Sequence, residues 1–474
     1  MTYPFALGFI FAFTVFILLQ ATECPEPTGQ VILPDHEAYQ KARLTSNYYS
    51  SKNSSPNAII YCQNAQDVQN AVKWAVCKKI PVKIRSGGHN HEAFSTGKGL
   101  VIDVSYMKKV EIDRSKNIAT IQPGITGGEL YTLLYKEGLT QVGGTCADVG
   151  ISGLVLTGGM GPLLRKHGLT CDTLRAFEMV NAKGDLIYVT KDNEHKDLFW
   201  ACRGGGAGNF GVVTSIVLQV YPAQKVTWFN IGWDWDQPVE EIIERWQRLF
   251  ANGDKKWFSH LDIWANSFPA EKLKKQPLKV LGVYYGSPEE AKKDLEPFLK
   301  IGTSKEQTIE PVDWVQAIRN FENATAVFLT DKPEYKSTGA FAMTPLPKKA
   351  IQIIIETLKN SPSPLLNVLL FSMGGACADI DPTDSAYFYR QAPFFVVYST
   401  QWLNPDEDKK AIEEVDALRT KLLPYTSGNY LGNPDRSLKD YLKDYFGNNV
   451  ERLRRVKHQY DPNNLFQFEQ GIPP

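Results

Sequence analysis

Glycine is concentrated in short runs that a helix or strand interior would not keep. Two of those runs end on a nucleophilic side chain: Arg85-Ser86-Gly87-Gly88-His89 and Gly143-Gly144-Thr145-Cys146. Glycine lets a backbone come close to a bound group and turn its N–H groups toward phosphate oxygens, so both runs are expected to be loops. Histidine and cysteine can bond an electron-poor flavin ring, and a chain with both in this setting is expected to hold a flavin at two covalent points. Singly, each has a plainer reading: His89 as a turn residue and Cys146 as a buried thiol.

With 474 residues, 43% of them hydrophobic, the chain exceeds what one core organises, and two domains are expected. Lys plus Arg and Asp plus Glu both number 52, which removes the electrostatic case for nucleic acid or an anionic membrane and points to a small-molecule substrate. Residues 3–19 are almost unbroken apolar sequence with no Lys or Arg before them, so 1–23 reads as a secretory signal peptide or an uncleaved N-terminal anchor. Export is expected in either case, with membrane contact only if the segment is retained. The seven cysteines are too scattered for a disulfide scaffold, and no CxxC pair indicates a metal. In an exported chain Cys62 and Cys77 are candidates to pair, and Asn53 and Asn323 begin glycosylation sequons.

Asn64 is a candidate N-cap for a helix with Val68, Ala71, Val72, Ala75 and Val76 on one face, ended by Pro81. Val82 to Arg85 reads as a strand running into the first glycine loop, followed by strands at 100–104 and 118–122 and a helix at 128–136. After Tyr221-Pro222 the texture changes. Strand-like runs at 226–233, 257–264, 278–285, 365–373 and 394–402 alternate with amphipathic helices at 239–250, 288–299, 348–358 and 407–423. This predicts a sheet with helices on one face and an aromatic face free to cover a flat cofactor, or else an aromatic core. A last helix around 450–458 carries Arg452, Arg454, Arg455 and Lys457, read as a solvated face rather than a basic patch.

Gly206-Ala207-Gly208-Asn209-Phe210-Gly211 satisfies GxGxxG in the wrong context. It follows a helix-like DLFWACR segment and precedes a β-branched strand, whereas a Rossmann fingerprint follows a strand and opens a helix. A turn packed against a cofactor is the better reading.

In chain order, RSGGHNHEAFSTG, GGTCADVGISGLVLTGGMG, KHGLTCDTLRAFEMVNAKGDL, DLFWACRGGGAGNFGVVTS and YDPNNLFQFEQGIPP resemble the berberine bridge enzyme-like FAD-linked oxidases. The resemblance covers essentially everything after the leader. It implies an α+β fold with a two-subdomain FAD-binding domain of the vanillyl-alcohol oxidase (PCMH) type, here 34–222. A substrate-binding domain, 223–425, would carry a mainly antiparallel sheet backed by helices, and 426–474 would return to the FAD-binding domain. The resemblance places FAD on His89 through its 8α-methyl and on Cys146 through C6. Arg85, Ser86, Gly87, Gly88 and Asn90, with Thr145, Val149, Gly150, Ile151, Ser152, Gly153, Gly158, Gly159 and Gly161, would contact its diphosphate and ring. Asp172, Asn209, Gly211 and Val213 would line it further on. Val149 matches the small residue that oxygen-using members place at the flavin edge.

Asn429-Tyr430 matches the family's Asn-Tyr pair, in which Asn429 would contact the cofactor and the tyrosine is often the general base. A phenol ordinarily titrates near about 10, so that role needs a site that lowers it or passes the proton on. A core tyrosine with its hydroxyl satisfied is the plainer alternative. The chain departs from carbohydrate-oxidising relatives in two places: His91 replaces an aromatic, and Leu370-Phe371-Ser372-Met373 before Gly374-Gly375 supplies no acid. Both departures leave room for a less polar alcohol. His91, Arg390, Tyr398 and Gln401 fall where members line the substrate pocket. The expectation is an oxidase that takes hydride from a hydroxyl-bearing carbon of an alcohol or carbohydrate-like substrate and reduces O2 to H2O2. Oxidation at carbon next to nitrogen and a flavin-carrying surface protein without turnover stay open.

Overall fold

The computed structural model describes residues 24–474 apart from 252, 274, 326–331 and 403, so the leader expectation lies outside the described residues. The side chain of Asn64 accepts the Asp67 N–H and caps the helix Ala65–Lys78. Val68, Ala71, Val72 and Ala75 bury against the first sheet, while Val76, at the margin of the stripe, is 45% exposed. The helix stops at Lys79, which turns left-handed with φ 54°, before Pro81 is reached. Cys77 on this helix is bonded to Cys24, and Cys62 is a buried free thiol, so the Cys62–Cys77 pairing is corrected.

Four strands form the first sheet: Gln30–Ile32 (β1), Ala58–Tyr61 (β2), Val82–Arg85 (β3) and Leu100–Asp103 (β4), in the order β1-β2-β4-β3. The pairings β2/β4 and β3/β4 are parallel, and β1/β2 is antiparallel. Next come Val110–Asp113 (β5), Ile118–Ile121 (β6), Leu139–Thr140 (β7), Leu174–Val180 (β8), Leu186–Thr190 (β9), Val212–Gln219 (β10) and Tyr221–Pro222 (β11). Five of them make an antiparallel sheet, β5-β6-β10-β8-β9, and β7 pairs with β11. The GxGxxG run joins the helix Lys196–Ala201 to β10, so its glycines open a strand, as the Rossmann objection required.

The second half holds Val226–Trp233 (β12), Trp257–Trp264 (β13), Leu278–Tyr284 (β14), Glu306–Val312 (β15), Glu334–Ala342 (β16), Asn367–Ser372 (β17) and Phe394–Trp402 (β18). They form one antiparallel sheet, β15-β12-β14-β13-β17-β18-β16. Successive side chains point to opposite faces. One face, with Phe229, Trp233, Trp257, Leu261, Phe394 and Val396, packs on the helices Val239–Phe250, Pro288–Leu299, Lys348–Lys359 and Asp408–Leu422. The other, with Trp228, Phe258, Phe341, Phe371 and Phe395, meets Tyr131, Val142, Met160 and Cys171 of the first half. The fold is α+β. The strands β15 and β16 and the helix Trp314–Thr325 escape sequence reading because EQTIEPV and EYKSTGAFA carry no continuous apolar run.

The tail returns to the first half. Phe466 pairs with Val82 beside β3, and the helix Val450–Tyr460 lays Lys457 into the interior. The three protons of the Lys457 ammonium go to Asn209 O (2.8 Å), Asp461 Oδ2 (2.7 Å) and Phe466 O (2.7 Å). Lys457 therefore leaves the basic face that its neighbours were read to share. Lys457→Met strands a buried carboxylate and two carbonyls, and should cost about 3 kcal/mol in urea unfolding.

Candidate active site

At the end of β3 the Arg85 guanidinium is buried against the Asp103 carboxylate of β4. It anchors the strand end, with its side chain paired inside the protein. Beyond it Ser86 Oγ donates to Pro123 O (2.7 Å), Gly88 takes φ 65°, and Asn90 Oδ1 accepts the N–H groups of Glu92 (3.1 Å) and Phe94 (3.0 Å). These bonds use the side chains to shape the loop.

Three glycine loops meet backbone to backbone. A Cβ on Gly87 would lie 2.5 Å from Gly150 N, one on Gly150 2.3 Å from Ser86 Oγ, and one on Gly161 1.7 Å from Gly143 O. Only glycine fits at those approaches. At their border His89 Nε2 stands 3.3 Å from Asp148 Oδ1, and this contact holds the Asp148 carboxyl below its usual range. Cys146, two residues from Asp148, is an exposed free cysteine. The surrounding protein, then Asp148 and Glu322, push its thiol to about 11, and the neighbouring Thr145 hydroxyl opposes them. A side-chain-free cradle of backbone amides bordered by His89 and Cys146 fits the diphosphate and ring of FAD.

The rest of the expected lining divides. Val149 is half-buried and its carbonyl accepts the Gly127 N–H (2.9 Å). Gly150 precedes the short helix Ile151–Thr157, in which Ile151 and Ser152 are buried and Gly153 has open space where a Cβ would point. Gly158 and Gly159, at φ 116° and 82°, admit the Tyr387 ring and the Thr170 side chain. Four residues do not offer side chains to a cofactor. The Asp172 carboxylate is consumed by Arg390 (2.7 and 2.9 Å) and Arg203 (3.1 Å), and Asn209 bonds Gly205 O (2.9 Å) and Ile472 N (2.9 Å). Gly211 packs on Met179, and Val213 belongs to the first-half core.

Period two also sorts the substrate residues. Tyr398 shares the helix-backed face of β18 with Phe394 and Val396 and is fully buried there, so it does not line a pocket. Arg390 is likewise enclosed, bonded to Asp172 and Ser385 (2.7 Å). Gln401 lies on the opposite face with Phe395, Val397 and Ser399, across from Tyr335 of β16. That face carries two residues the sequence reading missed, His260 and Asp262 of β13, in register with Phe371 and Leu369 of β17. They are 2% and 1% exposed, and among the described residues neither imidazole nitrogen and neither carboxylate oxygen has a hydrogen-bond partner. Burial drives His260 down to about 3 and Asp262 up to about 7, the latter against Lys279 and Lys275. A polar pair at alternate positions of the otherwise apolar WFSHLDIW run was the available signal.

His91 sits where this face meets the first half. Its Nδ1 is 2.7 Å from Asn433 Oδ1, which also accepts from Ser337 Oγ of β16 (3.0 Å). Its carbonyl accepts from Asn47 Nδ2 (2.8 Å) and Ser50 Oγ (3.0 Å), and its ring meets Tyr335 edge-on at 5.2 Å. Beneath it Lys336 Nζ bridges Glu92 Oε1 (2.9 Å) and Asp435 Oδ1 (2.5 Å). Asn433 and Ser337 carry no local sequence signal, because only tertiary contact unites them with His91.

Asn429 Oδ1 accepts the Tyr430 N–H (2.8 Å). The Tyr430 hydroxyl accepts the Gly159 N–H (3.0 Å), lies 3.2 Å from Thr157 Oγ1, and is enclosed by Phe341, Tyr387 and Tyr389. Burial pushes this phenol up to about 12, opposite to the direction a base needs. Its surroundings correspond to the core-tyrosine alternative.

Residues 56–190 match the family described as FAD binding domain, and residues 429–473 the one described as berberine and berberine like. The uncharacterized FAD-linked oxidoreductase YgaK of Bacillus subtilis is 39% identical over 452 residues, 94% of this chain and 97% of its own. A xylooligosaccharide oxidase of Thermothelomyces thermophilus is 27% identical over 446 residues, 88% of this chain and 87% of that protein. The solved structure of a chitooligosaccharide oxidase superposes with a TM-score of 0.82 at 25% identity, over 94% of this chain and 97% of the other.

The contact between Gly87 and Gly150 is open to a direct test. Gly150→Ala puts a methyl into the Ser86 side chain and the Gly87 backbone, and the purified variant should lose most of its flavin while keeping its circular dichroism spectrum. The ratio of flavin to protein absorbance checks this.

Proposed function

We propose, for a chain that belongs to the berberine bridge enzyme-like FAD-linked oxidoreductases, an exported oxidase that holds FAD through two covalent bonds and oxidises a hydroxyl-bearing carbon. One observation carries the reading: His89 and Cys146, 57 residues apart by their numbers, border the same glycine cradle, joined by the His89–Asp148 contact. With Nε2 turned to Asp148 at 3.3 Å, Nδ1 would be the histidine nitrogen left to bond the 8α-methyl, and the exposed Cys146 thiol would bond C6. When bound, FAD supplies the hydride acceptor and passes the electrons to O2, giving H2O2. The chain supplies position, holding the substrate carbon and hydroxyl in a reactive arrangement.

The substrate-facing sheet supports an alcohol or carbohydrate-like substrate. Phe371, Phe395 and Val397 offer apolar surface beside the polar Ser399, Ser337 and Asn367, a mixture that suits a polyol ring. Oxidation beside nitrogen has one observation in its favour, the unpaired Asp262 carboxyl, which would pair with an ammonium. The Cys24–Cys77 bond supports export, since such bonds persist in oxidising compartments.

Acid precipitation tests the covalent bonds. Pigment should stay with the wild-type pellet and with the His89→Ala and Cys146→Ala pellets, and leave only the double variant. A colourless wild-type pellet defeats the reading. A peroxide-coupled panel of xylobiose, chitobiose, glucose, simple alcohols and benzylic amines tests the chemistry: turnover of amines alone selects the second reading, and no turnover at all selects a flavin carrier. Val149→Ile should slow peroxide formation far more than reduction of an artificial dye acceptor.

A further inference from the structure

A neutral imidazole can bond carbon through one nitrogen and stay neutral only if the other nitrogen gives up its proton, and a thiol must lose its own to become a nucleophile. The two anchors proposed above therefore depend on how the chain handles protons around them. One carboxylate stands beside the histidine and two residues after the cysteine: Asp148 Oδ1 is 3.3 Å from His89 Nε2.

Backbone contacts fix where that carboxylate hangs. The carbonyl of Ala147 accepts the Gly128 N–H (2.8 Å) and that of Val149 the Gly127 N–H (2.9 Å), so the chain is held on both sides of Asp148. The Asp148 carbonyl itself packs on Gly87, where a Cβ would lie 3.1 Å from it, two residues before His89. The cysteine loop and the histidine loop are thus joined twice, through glycine backbone and through the Asp148–His89 side chains.

The His89 contact holds the Asp148 carboxyl below its usual range, so it is ionised and accepts without donating. A carboxylate beside Nε2 selects the tautomer with its proton on that nitrogen and leaves the lone pair on Nδ1. The same charge works against Cys146. Burial, then Asp148 and Glu322, hold the thiol up and disfavour the thiolate. The side chains are 20% exposed at His89 and 72% at Asp148, and an ion pair in such contact with water contributes little to stability. Its removal should leave the fold intact.

We propose that Asp148 is the positioning residue for the histidine link: it holds His89 with Nδ1 free and takes the Nε2 proton as the bond to the 8α-methyl forms. This rests on the covalent reading above. One N–C bond is made and one methyl C–H bond is broken. The methyl proton goes to water, the Nε2 proton goes to Asp148, and two electrons pass through the ring to O2, which takes up two protons and leaves as H2O2. Beyond FAD and O2 no reactant is needed.

Acid-precipitated pellets and flavin-bearing peptides test this without any substrate, on wild type, Cys146→Ala, Asp148→Asn and the double variant as purified. In Cys146→Ala, where the histidine link alone can hold pigment, the peptide containing His89 should carry the mass of FAD. Adding Asp148→Asn should cut that covalent fraction by about 10-fold or more, since loss of a positioned proton acceptor slows transfer by ~100-fold or more. Flavin bound before acid treatment should change little, which separates loss of the bond from loss of the cofactor site. Asp148→Asn on its own should keep its pigment, carried by the Cys146 peptide with the His89 peptide bare. A role in packing the loop would instead lower both links together. Undiminished flavin on the His89 peptide of the double variant overturns the proposal, as does equal loss at both anchors in Asp148→Asn, and both outcomes leave the covalent reading standing. A colourless wild-type pellet defeats that reading and this proposal with it.

Discussion

The ammonium of Lys336 lies between the carboxylates of Glu92 and Asp435, partners 244 and 99 residues away, and the second carboxylate oxygen of Asp435 accepts from Thr338 Oγ1 at 2.6 Å. Through this buried triad the glycine loop after β3, the edge strand β16 and the returning tail are held in one place. His91 precedes Glu92, Ser337 follows Lys336, and Asn433 stands two residues before Asp435, so their contacts follow from the triad. Ion pairs taken out of water contribute little net stability, because the desolvation penalty offsets most of the attraction. What this one contributes is register: a cation with two carboxylates has one low-energy position, whereas an apolar contact there would tolerate sliding.

The two halves of the molecule present different surfaces to the site. The first half offers mainly backbone, at places where Gly87, Gly150, Gly143 and Gly161 approach too closely for any side chain. The second offers side chains at alternate positions of a seven-stranded sheet. A backbone cradle depends little on residue identity outside its glycines, while every other residue of a strand can change what the sheet face recognises. The same division accounts for a fold that is retained at 25% identity with a TM-score of 0.82.

Much of this was legible locally. Helices with a continuous apolar stripe, such as Val239–Phe250, and doubly buried strands, such as Trp257–Trp264, announce themselves, since each is a run whose period or composition admits few alternatives. Glu306–Val312 and Glu334–Ala342 do not, because an edge strand and a polar, glycine-containing strand acquire their identity from their neighbours. Several polar candidates are engaged inside the protein in a consistent way. Arg85, Asp172, Asn209 and Arg390 are polar residues in the right segments, but Asp103, the Asp172–Arg390 pair and the tail satisfy them. Tyr398 faces the helices through its phase, because one step along a strand exchanges the two faces.

The sequence by itself determined the α+β class and the glycine loops, because backbone freedom and hydrophobic period are properties of single residues and their immediate neighbours. Only the tertiary structure decided which polar side chains remain unspent. Hydrogen-bond and ion-pair partners lie tens to hundreds of residues away, and a donor satisfied inside the protein is unavailable to a ligand. On that criterion Arg390 and the Tyr430 hydroxyl are engaged inside the protein, whereas among the described residues the side-chain polar atoms of His260 and Asp262 have no hydrogen-bond partner.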